Sequence, residues 1–298
     1  METIQLNKEV SLSRIVQGFW RLHNWDMDAQ ALLDFMKQCV ELGVTSFDTA
    51  EIYGNYTSEK LLGDALALDP LFRTKIQIIT KTGINKLNPN KPYRIKHYET
   101  TYEKIKQSCY SSLKKLNTTY IDVYLIHRED PLFDQLGAVR AFNELMEEGC
   151  IKSYGVCNYD PFKLDAFHTL SNFKCVTNQI EISPLQFEHF NSGMMDLLQK
   201  YQIHPMIWSP LNGGNIFTSN DENVVNLRNI LERIATKHNT TTDTIVYAWH
   251  LKHPVKAMVI SGTQKISRLQ NAINALQINL EHEEWYEIYC ASGQQILR

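Results

Sequence analysis

The chain has 298 residues, of which 43% are hydrophobic and 21% charged, with a formal net charge of −3; this composition is typical of a globular protein with a sizeable core and gives no sign of a nucleic-acid-binding surface. The N-terminus lacks the apolar core of a signal peptide, and no segment approaches the roughly 18 uninterrupted apolar residues of a membrane span. Because the six cysteines are far apart and form no C-x-x-C pair, we expect free thiols and a cytoplasmic protein.

The chain begins with a segment in which polar and apolar residues alternate. Within residues 2–13 the apolar positions are Ile4, Leu6, Val10 and Leu12, and polar residues lie between the two pairs. Alternation of this kind on both sides of a polar turn predicts a β-hairpin.

Eight short apolar runs follow the hairpin and predict eight strands. They cover residues 15–19, 44–48, 76–81, 121–127, 152–156, 176–180, 204–208 and 257–260. Several of them are apolar over their whole length, which is typical of strands buried on both faces of a sheet.

Segments of helical period separate these runs. The clearest of them cover residues 28–42, 58–68, 101–116 and 134–148, and Gly43 and Gly149 follow the first and the last of these. Glycine in that position commonly ends a helix. Further helical stretches at 223–238, 242–252 and 281–291 exceed one helix per strand, so we expect extra helices near the C-terminus.

Strands and helices that alternate along the whole chain predict a parallel sheet. Length alone would also permit two smaller domains, and alternation alone would permit an open doubly wound sheet. Eight such units in about 300 residues favour a closed (β/α)8 TIM barrel, an α/β fold, with the N-terminal hairpin at its bottom. No linker or internal repeat interrupts the pattern, so we predict a single domain of residues 1–298.

Polar residues at the carboxyl ends of the strands are the candidate site of such a barrel. Asp48, Lys81 and His127 end the second, third and fourth predicted strands, and Tyr53 follows Asp48 by five residues. A lysine ammonium beside a phenol is expected to lower the phenol pKa from about 10, and a carboxylate would hold the lysine in place. Tyr53 is therefore the candidate general acid, and His127 could bind the substrate oxygen.

Each of these residues also has an ordinary structural interpretation. Asp48 could cap a loop or helix, Tyr53 could be one of many packing tyrosines, and His127 could be a satisfied core histidine. Lys81 is the strongest single signal because a buried lysine rarely lacks a partner. The functional interpretation depends on all four side chains converging.

The residues around this site resemble those of the aldo-keto reductase family. Residues 47–54 read F-D-T-A-E-I-Y-G, which is similar to the family signature F-D-T-A-x-x-Y-G, and Lys81 and His127 lie in I-T-K-T and Y-L-I-H-R. The resemblance covers essentially the whole chain. It implies reduction of aldehydes or ketones to alcohols by hydride transfer from NADPH, with NADH less favoured, and it is compatible with the absence of a G-x-G-x-x-G motif.

The resemblance also implies a set of cofactor-binding positions in the second half of the chain. Residues 155–158, 178–181, 208–211 and 260–263 resemble family segments, and the implied positions are Cys157, Asn158, Gln179, Trp208, Ser209, Leu211, Gly262, Thr263, Arg268 and Asn271. Asn158 and Gln179 would hold the nicotinamide carboxamide. Trp208 would stack on the nicotinamide ring, since it retains the aromatic face of the usual tyrosine.

The remaining positions concern the nucleotide. Ser209 and Leu211 would border the pyrophosphate, Arg268 would pair with a 2′-phosphate, and Asn271 would reach the adenine. This chain departs from the family pattern at two positions. Cys157 replaces the usual serine, and a thiol is a poor hydrogen-bond donor. Gly262 stands where many members have a lysine.

The substrate pocket is less clearly marked. Phe19, Trp20 and Arg21 follow the first predicted strand and are expected to line the pocket, and the long segment 82–99 could form part of a lid, although its Lys86–Lys96 stretch reads as a solvated loop. We expect a small-molecule carbonyl substrate, broad specificity, no nucleic-acid or membrane partner, and a monomer or weak oligomer.

Two other functions remain open at this point. The family resemblance also admits an NADPH-binding sensor or regulatory subunit with little turnover. The barrel architecture alone admits a phosphate-binding aldolase or isomerase, in which Lys81 would form a Schiff base.

Overall fold

Eight parallel strands close into a barrel in the computed structural model of the chain, which describes residues 1–89 and 91–293. Residues 90 and 294–298 of the predicted domain lie outside the described residues. The barrel strands are β3 (Ile15–Gly18), β4 (Ser46–Asp48), β5 (Gln77–Thr82), β8 (Val123–Ile126), β9 (Tyr154–Cys157), β10 (Cys175–Glu181), β11 (Met206–Trp208) and β12 (Met258–Ser261). Each pairs with its neighbours in chain order, and β12 pairs with β3 to close the ring. The predicted barrel is confirmed.

Helices surround the barrel and follow most of its strands. They are α1 (Ala29–Glu41), α2 (Tyr53–Tyr56), α3 (Ser58–Leu68), α4 (Tyr102–Lys115), α5 (Gln135–Glu147), α6 (Pro161–Leu170), α7 (Glu188–Asn191), α8 (Met194–Tyr201), α9 (Asn215–Thr218), α10 (Glu222–Lys237), α11 (Thr242–Lys252), α12 (Ile266–Asn274) and α13 (His282–Ala291). Shorter 3₁₀ turns cover Leu22–Asn24, Pro70–Lys75, Asn212–Gly214 and Ala275–Gln277. None of the helices within the described ranges is long and apolar enough to cross a membrane.

Local capping explains why the helices begin where the sequence predicts. The side chains of Asp28, Thr101 and Asp134 each accept a hydrogen bond from the backbone N–H three residues further on. Such N-caps satisfy donors that the first turn leaves free. Gly43 and Gly149 follow α1 and α5 with positive φ angles of 84° and 72°, which glycine adopts without strain.

The N-terminal hairpin closes the lower end of the barrel. Strand β1 (Thr3–Gln5) pairs antiparallel with β2 (Ser11–Ser13), and the hairpin residues Ile4, Val10 and Leu12 pack against the buried side chains inside the barrel. The hairpin side chains therefore fill the interior from below, and the carboxyl ends of the strands are where a site of this fold lies.

A second small hairpin was not predicted. In the segment expected to be a long loop, β6 (Ile84–Asn85) pairs antiparallel with β7 (His97–Tyr98). This β6–β7 arm stands beside the barrel mouth, and Asn85 is fully buried and donates to Glu99 at 2.9 Å. Strands of two residues are too short to leave a periodic signal in a sequence.

The close contact between α3 and the end of α4 generates a prediction about stability. A methyl group added at Gly63 would lie 1.9 Å from the backbone oxygen of Lys115. The backbone cannot move aside as a flexible side chain can. We therefore expect Gly63→Ala to lower the free energy of unfolding, measured by chemical denaturation, by about 3 kcal/mol.

Gly262→Ala is the matched control. Its added methyl would meet no atom within 4 Å, so the free energy of unfolding should change by less than about 0.5 kcal/mol. Equal stability of the two variants would show that the helices do not approach this closely in solution.

Candidate active site

A cavity of about 680 Å³ opens at the carboxyl ends of the barrel strands. Its walls come from both halves of the chain, and the β6–β7 arm contributes to one side. The predicted site residues that line it are Asp48, Tyr53, His127, Asn158, Gln179, Trp208, Ser209, Leu211, Gly262, Thr263, Arg268, Trp20 and Arg21. The structure thus brings most of the predicted set around one cavity.

An ion pair between Lys81 and Asp48 lies at the floor of this cavity. The Lys81 Nζ donates to both carboxylate oxygens of Asp48 and to the backbone oxygen of Thr49, each at 2.7 Å. Both side chains are almost fully buried. Burial by itself lowers the pKa of Lys81, but the charge of Asp48 and the hydroxyl of Tyr53 outweigh it and hold that pKa above its ordinary value.

Tyr53 contacts the charged end of Lys81. The Lys81 Nζ lies 3.3 Å from the Tyr53 hydroxyl and 4.9 Å from the centroid of its ring. Burial nevertheless raises the pKa of Tyr53 to about 12, against the opposing charge of Lys81. The expected lowering by lysine was wrong in its net direction because desolvation of the phenolate is the larger effect. Tyr53 is therefore fully protonated near neutral pH.

His127 contacts the ring of Tyr53. The ring centroids of Tyr53 and His127 are 5.5 Å apart in an edge-to-face arrangement. Burial, followed by the positive charges of Lys81, Arg128 and Lys96, lowers the pKa of His127 well below its usual value. A neutral imidazole can either donate one hydrogen bond to a ligand oxygen or accept one from a ligand hydroxyl.

Hydrogen bonds join the predicted nicotinamide positions to this site. The Gln179 amide donates to Asp48 at 2.8 Å. The Trp208 indole donates to the side-chain oxygen of Asn158 at 3.0 Å, and the Asn158 amide donates to the backbone oxygen of His127 at 3.2 Å. These bonds fix the orientation of each amide across strands β8 to β11.

The other end of the cavity is lined by glycines and by an arginine. Gly213, Gly214 and Gly262 line it, and a side chain at Gly214 or Gly262 would meet no atom within 4 Å, so both leave open space. Arg268 lines the same end and forms no ion pair with any carboxylate of the described residues. Glycines that admit a close approach and a free guanidinium fit a phosphate-bearing cofactor.

Four predicted positions do not line the cavity, and one of them is Lys81, whose fully buried ammonium group is paired with Asp48. Phe19 is completely buried and stacks on Phe47, with ring centroids 5.8 Å apart, because the strand end turns its side chain into the core. Cys157 is 1% exposed and packs within the barrel interior. Asn271 donates instead to Asp243, at 3.0 and 3.2 Å, and Asp243 takes its place in the lining.

Several lining residues were missed from the sequence. Lys86, Lys96 and Tyr98 on or beside the β6–β7 arm line the cavity, although this segment was interpreted as a solvated loop. Arg128 also lines it, and its position directly after His127 was a signal that could have identified it.

Comparison with known proteins places the chain among oxidoreductases. The model of the aldo/keto reductase family matches residues 14–291. The oxidoreductase YcsN of Bacillus subtilis is 40% identical over 98% of both chains, and a 6-dehydroglucose reductase of Agrobacterium fabrum is 35% identical over 99% of this chain and 100% of its own. The solved glycerol dehydrogenase of Gluconobacter oxydans shares the fold with a TM-score of 0.86, at 19% identity over 99% of this chain and 97% of its own.

The buried ion pair generates a prediction about stability. Replacing Asp48 by asparagine would leave the ammonium of Lys81 buried without a carboxylate, so Asp48→Asn should lower the free energy of unfolding by about 3 kcal/mol. The double variant Asp48→Asn with Lys81→Met removes the unpaired charge and should recover at least half of that loss.

Denaturant unfolding of the wild type, both single variants and the double variant would measure this coupling. Strictly additive effects of the two substitutions would show that the two charges do not interact in the folded protein.

Proposed function

This chain belongs to the aldo/keto reductase family, and we propose that it reduces aldehydes or ketones to alcohols with NADPH as the reductant. One observation carries the proposal. Tyr53 lines the cavity, and its hydroxyl oxygen lies 3.3 Å from an ammonium group that is itself held by a buried carboxylate. This arrangement suits a group that must lose a proton during the reaction and be neutral before it.

Proton delivery follows from the charges of the site. Tyr53 is protonated near neutral pH and donates its proton to the carbonyl oxygen of the substrate. The phenolate that remains is stabilised by the ammonium of Lys81, and Asp48 keeps that ammonium charged and in position. Neutral His127 hydrogen-bonds the same substrate oxygen and orients the carbonyl carbon.

The reductant would be bound by cavity residues that follow strands β9 to β11 or lie on them. Asn158 and Gln179 would bind the carboxamide of the nicotinamide, and Trp208 would cover one face of its ring. Ser209 and Leu211 would border the pyrophosphate. A bound, reduced nicotinamide supplies the hydride in this chemistry.

The free guanidinium of Arg268 supports NADPH over NADH. Arg268 lies at the end of the cavity that Gly262 and Thr263 also line. A planar guanidinium matches the geometry of a phosphate, whereas the 2′-hydroxyl of NADH offers no charge to pair with it.

The state of Lys81 argues against an aldolase of the Schiff-base type. Such an enzyme requires a neutral amine, whereas Lys81 donates hydrogen bonds to Asp48 and Thr49 and has a raised pKa. The relative from Agrobacterium fabrum, which is called a reductase, also supports carbonyl reduction as the reaction class.

The proposal predicts that Tyr53→Phe loses at least about 100-fold in kcat for a simple aldehyde, because the variant retains the ring but has no proton to donate. NADPH binding, measured by the fluorescence of the bound cofactor, should change less than threefold. Tyr110→Phe is the matched control, since the exposed hydroxyl of Tyr110 donates to Glu148 outside the cavity and its loss should leave kcat unchanged.

Substantial aldehyde reduction by Tyr53→Phe would overturn Tyr53 as the proton donor. Tight NADPH binding by the wild type, without turnover of any carbonyl compound in a broad panel, would instead favour the sensor function.

Cofactor choice generates a second prediction. Arg268→Ala should weaken NADPH binding about tenfold or more and leave NADH binding unchanged, because only the 2′-phosphate pairs with the guanidinium. Arg233→Ala is the control, since that exposed arginine pairs with Glu287 outside the cavity. An unchanged ratio of the two dissociation constants in Arg268→Ala would show that the preference has another origin.

A further inference from the structure

The cavity carries an excess of positive charge. Its acidic lining residues are Asp48 and Asp243, and both already have partners: Asp48 is paired with Lys81, and Asp243 accepts two hydrogen bonds from Asn271. The lining also contains five cationic side chains, which are Arg21, Lys86, Lys96, Arg128 and Arg268.

These cations divide between the two ends of the cavity. Arg268 follows β12, and a guanidinium nitrogen of Arg21 lies 3.6 Å from the position of a methyl group added at Gly213. Both are therefore assigned to the glycine-rich end that would hold the nucleotide, although Arg21 was expected in the substrate pocket.

Two of the other three cations, Arg128 and Lys96, lie beside the proposed reaction site. Arg128 directly follows His127 at the end of β8, and its guanidinium carbon lies 5.7 Å from the centroid of the Trp208 ring. Lys96 lines the cavity from the β6–β7 arm. The charges of both residues act on His127, whose pKa they lower together with burial. They therefore lie beside the residue that would orient the substrate oxygen.

Neither Arg128 nor Lys96 is neutralised by the rest of the described chain. Neither forms an ion pair with a carboxylate of residues 1–89 or 91–293. The charge of Arg128 acts on Glu181, but burial raises the pKa of Glu181 despite that charge, and the two side chains form no ion pair. Arg128 is half-buried and Lys96 is exposed. A cation that lines a cavity without a counter-ion is a favourable place for a ligand anion.

We propose that the substrate is a carbonyl compound that carries an oxyanion, a carboxylate or phosphate, and that Arg128 and Lys96 bind this anion. The inference rests on the proposed reductase function and names its substrate class. Arg128 supplies the planar fork that matches an oxyanion, and Lys96 adds a point charge from the β6–β7 arm. A neutral substrate of equal size would leave both charges unpaired in the complex.

Two aldehydes of similar shape test the proposal with the full-length, NADPH-loaded protein. They are 4-formylbenzoate, which is anionic, and its neutral methyl ester. For the wild type we expect kcat/KM to be at least about tenfold higher for the anion. In Arg128→Gln the ratio of the two kcat/KM values should fall about tenfold, mainly through KM, and Lys96→Gln should lower the same ratio by a smaller factor.

Arg94→Gln is the matched control for both substitutions. Arg94 is exposed on the same arm as Lys96 and is absent from the described cavity lining, so its loss should leave the ratio as in the wild type. Equal kcat/KM values for the two aldehydes in the wild type, or an unchanged ratio in Arg128→Gln, would overturn the proposal.

A binding measurement separates this proposal from the proposed function. If neither aldehyde is reduced, the reductase function fails, and calorimetric titration of the NADPH-loaded protein with benzoate and benzamide still reports on the anion site. Tighter binding of benzoate that is lost in Arg128→Gln supports the site without turnover. Equal binding of the two compounds refutes it. Circular dichroism of each variant confirms that it is folded.

Discussion

The buried ion pair between Lys81 and Asp48 is the interaction on which the rest of the site depends. Two charges inside a barrel are stable only when each satisfies the other, and here the ammonium also bonds Thr49 and contacts Tyr53. The carboxylate in turn accepts from Gln179, which lies on the opposite side of the barrel. This one ion pair therefore positions both Tyr53, the proposed proton donor, and Gln179, a proposed cofactor-binding residue.

The same pair determines the charge of the cavity above it. Because Lys81 neutralises the charge of Asp48, this carboxylate does not neutralise the cations that line the cavity walls. Arg128 and Lys96 remain without carboxylate partners in the part of the chain that the structure describes. The Lys81–Asp48 pair at the floor of the cavity is thus neutral overall, whereas the walls carry unpaired positive charges, and the proposed substrate preference rests on those charges.

Much of the fold could be predicted because its signals are local. The eight strands are apolar over several consecutive residues, and Asp28, Thr101 and Asp134 cap their helices within one turn. The β6–β7 arm escaped prediction because its two-residue strands carry no period. Phe19 was misplaced for a related reason: the residue that follows a strand can face the core or the cavity, and only its packing against Phe47 decides.

The sequence by itself determined the barrel and the convergence of Asp48, Tyr53, Lys81 and His127, because parallel strands of a barrel present all their carboxyl ends on one face. Only the tertiary structure decided the net effect on the pKa of Tyr53, since desolvation depends on how completely distant segments enclose the phenol. It alone also brought the cations of the β6–β7 arm to the cavity. The burial of a group and the charge around it depend on all residues that lie near it in space. The periodicity of a sequence does not indicate which residues those are.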